Sequence, residues 1–288
     1  MKITAKSNKT LLEILIQEAG YSTSSKAREV IKNGAVWVDN LAVKIPSTPI
    51  NIGSSIEINP EKSKREADHQ KYLFTVIYED DYLIAVAKPP RLKIDRSMEG
   101  KPGFKDVVLE ALQKEKNLVQ QLFPINYIDA NSTGILLFAK NQKTAQAMEN
   151  KSYVKKSWAI LCEGKITQES GTLNFPLVKN KAGKLLAVEK PNKLTQEAST
   201  SFKLRKHIGN YSLVEAVADN LLPKQFQAHF QLLGFPVAGE KKYGSVMPFK
   251  SRNGIHLEKI YFVHPVTGKP LTLQCNVPQS FTRAGRYN

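Results

Sequence analysis

Between Asn59 and Lys71 the chain reads NPEKSKREADHQK, thirteen residues with no apolar periodicity. Such a run has nothing to bury and is expected to stay solvated, so it separates whatever folds before it from whatever folds after it. The expectation is a small unit over residues 1–59, a linker over 60–72 and a larger unit over 73–288. At about 100–200 residues per domain, 288 residues suit that division, and the second part is long enough to bury a core without disulfide support. No run approaches the roughly 18 apolar residues of a membrane-spanning helix, so no membrane partner is expected. The net charge is +16, with +3 over residues 1–75 and +13 over residues 76–288. The excess is spread along the chain instead of forming one basic block, which suggests a basic surface on a folded body and a polyanion, nucleic acid first, as its partner.

In the first part, Leu12, Leu15, Ile16 and Ala19 recur at helical spacing from Leu11 onward, and Gly20 stands where a left-handed C-terminal cap is expected. Ser24 or Ser25 can cap a second helix, with Ala27, Val30 and Ile31 inward and Lys26, Arg28 and Lys32 outward. AVWV, the pair Asp39-Asn40 and LAV then read as a hairpin with a two-residue turn, and SSIEIN adds a strand. Glu13 and Glu18 interrupt the first apolar stretch and no small-residue cleavage site follows, which makes a cytoplasmic protein the expectation.

In the second part, residues 74–78 and 83–88 read as strands around Glu79-Asp80-Asp81, with Pro89-Pro90 stopping the second. Phe104, Val108, Ala111 and Leu112 mark a helix within 104–123, and GILLFA at 134–139 reads as a fully buried strand. Further strands are expected at 158–162, 185–188, 201–204 and 213–217, with a helix over 225–233 closed by Gly234 and Pro236. Strands outnumber helices without βαβ alternation, an α+β pattern with a mainly antiparallel sheet. Cys162 and Cys275 lie far apart in runs that read as strands, so two buried free thiols are expected. The five histidines show no ligand spacing and no Gly-rich phosphate loop is present, so neither metal nor cofactor is expected. Asp129 stands in the loop INYIDANSTG just before the buried strand, where a side chain is held by rigid structure yet open to a ligand. A local turn made by its carboxylate is the plainer reading of the same residue.

Two resemblances refine this picture. GYSTSSKAREVIKNGAVWVDNLAV resembles the alpha-L RNA-binding module named after a ribosomal small-subunit protein, which implies RNA contact for Ser25, Lys26, Arg28 and Lys32. YEDDYLIAVAKPPRL, NYIDANSTGILLFAKN and QFQAHFQLLGFPVAGEKKYGS resemble, in that order, the RluA-type pseudouridine synthases, and GIHLEKIYFVHPVTGKP resembles that family's closing segment. The resemblance implies a mixed, largely antiparallel sheet with a central cleft. It also implies an enzyme that detaches uracil from its ribose, turns it and rejoins it through carbon five, using an aspartate and no cofactor. Asp129 matches that aspartate, and structured RNA, ribosomal or transfer, is the implied substrate. His229 and His256 fall on the pattern as packing or hydrogen-bonding residues.

The chain departs from the family at three matched positions. Tyr127 stands where an RNA-engaging arginine is expected, two places before Asp129. Gln227 stands where an arginine is expected to pair with the carboxylate, so a fork of donors becomes a single amide. In Lys156-Ser157-Trp158 an indole stands where a tyrosine would stack on the target base, and Tyr127, Lys156, Trp158 and Gln227 are the expected substrate contacts. Two functions follow: an RNA pseudouridine synthase with altered neighbours around Asp129, or an RNA-binding protein on a synthase scaffold whose catalysis has decayed. No motif supports DNA binding.

Overall fold

The computed structural model describes residues 1–38, 41–43, 46–59, 74–116, 119–149, 154–219, 221–247, 249 and 253–287. The Asp39-Asn40 turn and the 60–72 linker lie outside the described residues. The chain folds as two compact units, Met1–Leu73 and Phe74–Asn288. Among the described residues no helix is long and apolar enough to cross a membrane.

In the first unit β1 (Lys2–Thr4) and β2 (Lys9–Thr10) precede α1 (Leu11–Gln17) and α2 (Ser24–Lys32). Thr10 and Glu13 form a capping box at the start of α1, each satisfying the other's backbone N–H. The buried side of α1 is Leu11, Ile14 and Leu15, while Leu12 and Ile16 are half-buried, so the apolar stripe is rotated from the one expected. Gly20 has φ +76°, as a left-handed cap requires. The cap of α2 is neither serine expected: Thr23, in extended backbone, accepts from the Lys26 N–H, and Ser24 already opens the helix. Ala27 and Ile31 are buried beneath it, with Val30 half-buried. β3 (Val36–Val38), β4 (Leu41–Ala42), β5 (Pro49–Ile50) and β6 (Ser55–Ile58) complete the unit. The sheet order is β1-β6-β3-β4, with the expected hairpin pairing Val38 to Leu41.

The second unit opens with the hairpin β7 (Val76–Glu79) and β8 (Leu83–Lys88), followed by α3 (Phe104–Lys116). Phe104 and Val108 are fully buried on α3 and Leu112 nearly so. The helix does not run on toward 123 as expected. Phe123–Pro124 instead forms the short strand β9, paired with β10 (Thr133–Ala139). Proline is tolerated at such a margin because it has no N–H to contribute to a ladder. Every residue of β10 is buried, which fits a strand covered on both faces. α4 (Gln142–Glu149) was not anticipated; Asn141 caps it by accepting from the Thr144 N–H.

Then come β11 (Lys155–Glu163), β12 (Ser170–Leu173), β13 (Leu177–Lys179), β14 (Leu185–Ala187), β15 (Thr200–Ile208) and β16 (Tyr211–Val217). After α5 (Gln225–Leu232), β17 (Ile255–Val263) and β18 (Pro270–Gln274) close the sheet, and α6 (Gln279–Thr282) follows. Cys162 is buried in β11, whereas Cys275 lies one residue beyond β18 and is half-buried.

The main sheet runs β12-β15-β16-β11-β17-β10-β8-β7, with β18 beside β17 and β9 beside β10. Its described pairs are antiparallel except at the centre, where β10 runs parallel to β17 through Thr133–His256 and Gly134–Leu257. Gly134 has φ +121°, and a Cβ there would lie 2.3 Å from the Leu257 carbonyl oxygen. The residue type at 134 is therefore fixed by how closely the two backbones meet. This central junction also brings the 126–132 loop, β11 and the start of β17 to one place.

Candidate active site

The loop carrying Asp129 is held by buried polar side chains. Asn126 donates from Nδ2 to the Ile135 carbonyl (3.0 Å) and accepts from the Leu137 N–H (2.8 Å), acting as a ladder partner for β10. The Ser132 N–H donates to the Asp129 carbonyl, closing a turn. Beneath it Lys88, 2% exposed, donates from Nζ to the carbonyls of Pro89, Ala130 and Ser132 at 2.9–3.0 Å. Burial pushes the Lys88 amine down to about 8, against the opposing pull of the nearby Asp129 carboxylate.

Asp129 faces a cavity of about 540 Å³, also lined by Lys93, Arg96, Tyr127, Trp158, Lys224 and Gln227. A larger hollow of about 820 Å³ is lined by Glu189, Glu197 and Asp219 and, among the described residues, by no lysine or arginine, which is an unfavourable lining for a polyanion. Lys224 Nζ lies 2.7 Å from Asp129 Oδ2, with each side chain a little over a third exposed. Gln227 Nε2 donates to the same oxygen at 3.2 Å and to Glu240 Oε1 at 3.3 Å. Glu240 Oε1 also accepts from Asn253 Nδ2 (2.9 Å), which reaches Ser132 Oγ at 3.2 Å. One connected network thus runs from the start of α5 through the carboxylate and back to its own loop.

Among the expected contacts, Tyr127, Trp158 and Gln227 come together with Asp129, while Lys156 is not among the lining residues. Lys156 is half-buried on β11, and burial holds its amine below the usual lysine range. Tyr127 is 64% exposed. Trp158 is only 3% exposed: it packs edge-on against Phe226, with centroids 5.5 Å apart, and forms part of the cavity wall. Its buried Nε1–H has no hydrogen-bond partner among the described residues.

His229 is held by Thr200 Oγ1 and the Phe175 carbonyl, and His256 by Thr133 Oγ1 and the Cys275 carbonyl. Burial lowers the proton affinity of both, consistent with neutral packing residues. In the first unit Ser25, Lys26, Arg28 and Lys32 are all exposed on α2, and the spacing of 25, 28 and 32 puts those three on one side of the helix.

Sequence reasoning passed over Lys88, Lys224, Glu240 and Asn253. Lys224 stands three residues before Gln227 in the sequence, but it lies outside α5 in a left-handed conformation, so that spacing alone does not bring the two side chains to one carboxylate.

Comparisons with known proteins identify the family of both units. Residues 82–232, just over half of the chain, match the family model described as RNA pseudouridylate synthase, and residues 11–56 match the S4 domain. The ribosomal large subunit pseudouridine synthase C of Rickettsia prowazekii (strain Madrid E) is 29% identical over 259 residues, 81% of this chain and 82% of that protein. The tRNA pseudouridine synthase C of Pasteurella multocida (strain Pm70) is 27% identical over 72% of this chain and 92% of its own. The solved structure of human RNA Pseudouridylate Synthase Domain Containing 4 shares the fold, with a TM-score of 0.60 at 17% identity over 73% of this chain and 90% of that one. With both units matched and the cleft at the centre of the large sheet, the chain belongs to the RNA pseudouridylate synthase family, with an S4 domain ahead of the synthase unit.

Proposed function

We propose that this isomerase converts uridine to pseudouridine in structured RNA, with Asp129 as its essential carboxylate and ribosomal RNA, or else transfer RNA, as its substrate. The relatives' names divide between those two RNAs. The observation that carries the reading is the Asp129 carboxylate, held on one oxygen by a cation and an amide at the wall of a cavity sized for a nucleoside. The isomerisation breaks the bond from ribose C1′ to N1 and forms one from C1′ to C5; the hydrogen on C5 leaves and N1 gains one, so neither electrons nor atoms are needed from elsewhere. A carboxylate suffices for such a step, as nucleophile toward the sugar or as base, without metal or organic cofactor.

Trp158 and Phe226 give the base an apolar wall, and Tyr127 at the rim offers an aromatic face to an unpaired nucleotide. Lys93 and Arg96 supply charge toward phosphate. In the S4 domain, Ser25, Lys26, Arg28 and Lys32 are the proposed RNA contacts, and such a substrate puts the work in the cytoplasm. The decayed-scaffold reading rested on the loss of both expected arginines, at positions 127 and 227; Tyr127 leaves the first loss standing, while Lys224 supports catalysis by bringing a cation to the carboxylate that the second would have paired.

A pseudouridine map of total RNA from cells with and without the protein tests the reading. The expected result is one or a few lost sites, restored by the parent gene and not by Asp129→Ala. Restoration by Asp129→Ala, or maps that coincide, would overturn it.

A further inference from the structure

Two donors converge on one oxygen of Asp129. Lys224 Nζ and Gln227 Nε2 both reach Oδ2, while Oδ1 accepts no hydrogen bond from any described residue. The lysine reaches that oxygen from an unusual backbone position: Lys224 is the N-cap of α5 with φ +60° and ψ +15°, a left-handed conformation uncommon for a residue with a Cβ. Its neighbour holds it there. Gln225, 1% exposed, donates from Nε2 to the Ser199 carbonyl (2.8 Å) and Thr200 Oγ1 (2.9 Å) and accepts from the Leu222 N–H (2.9 Å), tying the turn before α5 to β15. The surroundings thus hold a backbone geometry that a lysine seldom adopts.

Resting on the reading of Asp129 given above, we propose that Lys224 is the positioning residue of the reaction, fixing the carboxylate through Oδ2 alone, and that Oδ1 is the oxygen that works on the nucleoside. The charge expected at 227 has moved three residues toward the N-terminus. Gln227 retains the second bond to Oδ2 and links the carboxylate to Glu240. An ammonium is a point charge and can hold one oxygen while leaving the other open, whereas a guanidinium fork can take both.

The test uses the full-length protein and ribosomal RNA transcribed with uridine tritiated at C5, because isomerisation releases that hydrogen. Lys224→Met is expected to lower kcat about a hundredfold, as misplacement of a reacting group does, with RNA affinity within a few-fold and melting temperature unchanged. Gln227→Arg added to Lys224→Met is expected to restore at least tenfold of that loss, since an arginine there is shared with Glu240 and cannot turn its whole fork onto Asp129. Lys224→Arg is expected to be slower than the parent although charge is kept, because the fork covers Oδ1. If Asp129→Asn is silent while Lys224→Met turns over like the parent, or if the double variant is no faster than Lys224→Met, the role of Lys224 is overturned and the reading of Asp129 stands. Lys224→Arg at the parental rate removes the assignment of Oδ1. Parental turnover by Asp129→Asn, or a parent that releases no tritium, sinks the reading of Asp129 and this proposal with it.

Discussion

If Asp129 is the essential carboxylate proposed above, the buried charge of Lys88 joins stability to turnover. Its Nζ holds the carbonyls of Ala130 and Ser132, both within the 129–132 turn that presents Asp129, while burial pulls its pKa from the usual 10.5 to about 8. Between those values the unfolded chain carries a proton that the folded chain has given up, so this group makes global stability rise as pH climbs from about 8 to 10.5. Turnover should move the other way, because a neutral amine donates more weakly to those carbonyls and adds no charge beside Asp129. We expect kcat at saturating RNA to fall about tenfold from pH 7 to pH 9, the change in protonated fraction for a group near 8. Melting recorded over the same range should not follow it. Lys88→Met should be slow at all pH values and lack the falling limb. A parental kcat that stays flat to pH 9.5 would remove Lys88 from this role.

At the scale of elements, the central pairing of β10 with β17 organises the cleft, and it allows no side chain at position 134. With φ +121° and the Leu257 carbonyl oxygen 2.3 Å from any Cβ, Gly134→Ala must push the two strands apart. The expected loss is at least about 3 kcal/mol in chemical denaturation, with turnover lost as the Asp129 loop shifts. A variant within 1 kcal/mol of the parent would mean that the junction is softer than its spacing implies. The strand itself was legible, since six apolar or small residues bounded by turn-formers have few other fates, and so was the motif that places Asp129 before it. Its parallel partner was not, because register between distant segments leaves no local pattern to read. The helix expected within 104–123 is described only to Lys116, because a helical spacing does not show where it stops and Phe123 and Pro124 pair as a strand with β10. Gln227 was visible as a loss; Lys224 was overlooked because only a left-handed cap brings it to Asp129, and lysine carries no sign of that conformation.

At the scale of the whole molecule, the proposed function gives α2 of the S4 domain a share of the RNA binding and leaves the chemistry to the synthase unit. Counterion release makes RNA affinity fall steeply with salt, and each cation that meets a phosphate contributes about one unit to the slope of log K against log salt. Arg28 and Lys32 are exposed on α2, and neither is engaged by a carboxylate among the described contacts: the Arg28 Nε meets only Ser24 Oγ. Replacing both with alanine leaves the Thr23 cap and the buried Ala27 and Ile31 untouched, so the S4 domain should remain folded. The expected result is a slope reduced by about two and a weaker Kd at physiological salt, with kcat at saturating RNA unchanged because no residue around Asp129 is altered. Titration of a structured ribosomal RNA fragment at four salt concentrations, with tritium release measured at saturation, separates the two effects. An unchanged slope would show that α2 does not meet phosphate. A fall in kcat at saturation would show that the S4 domain does more than hold RNA, since a contact that binds ground state and transition state equally changes KM and leaves kcat alone.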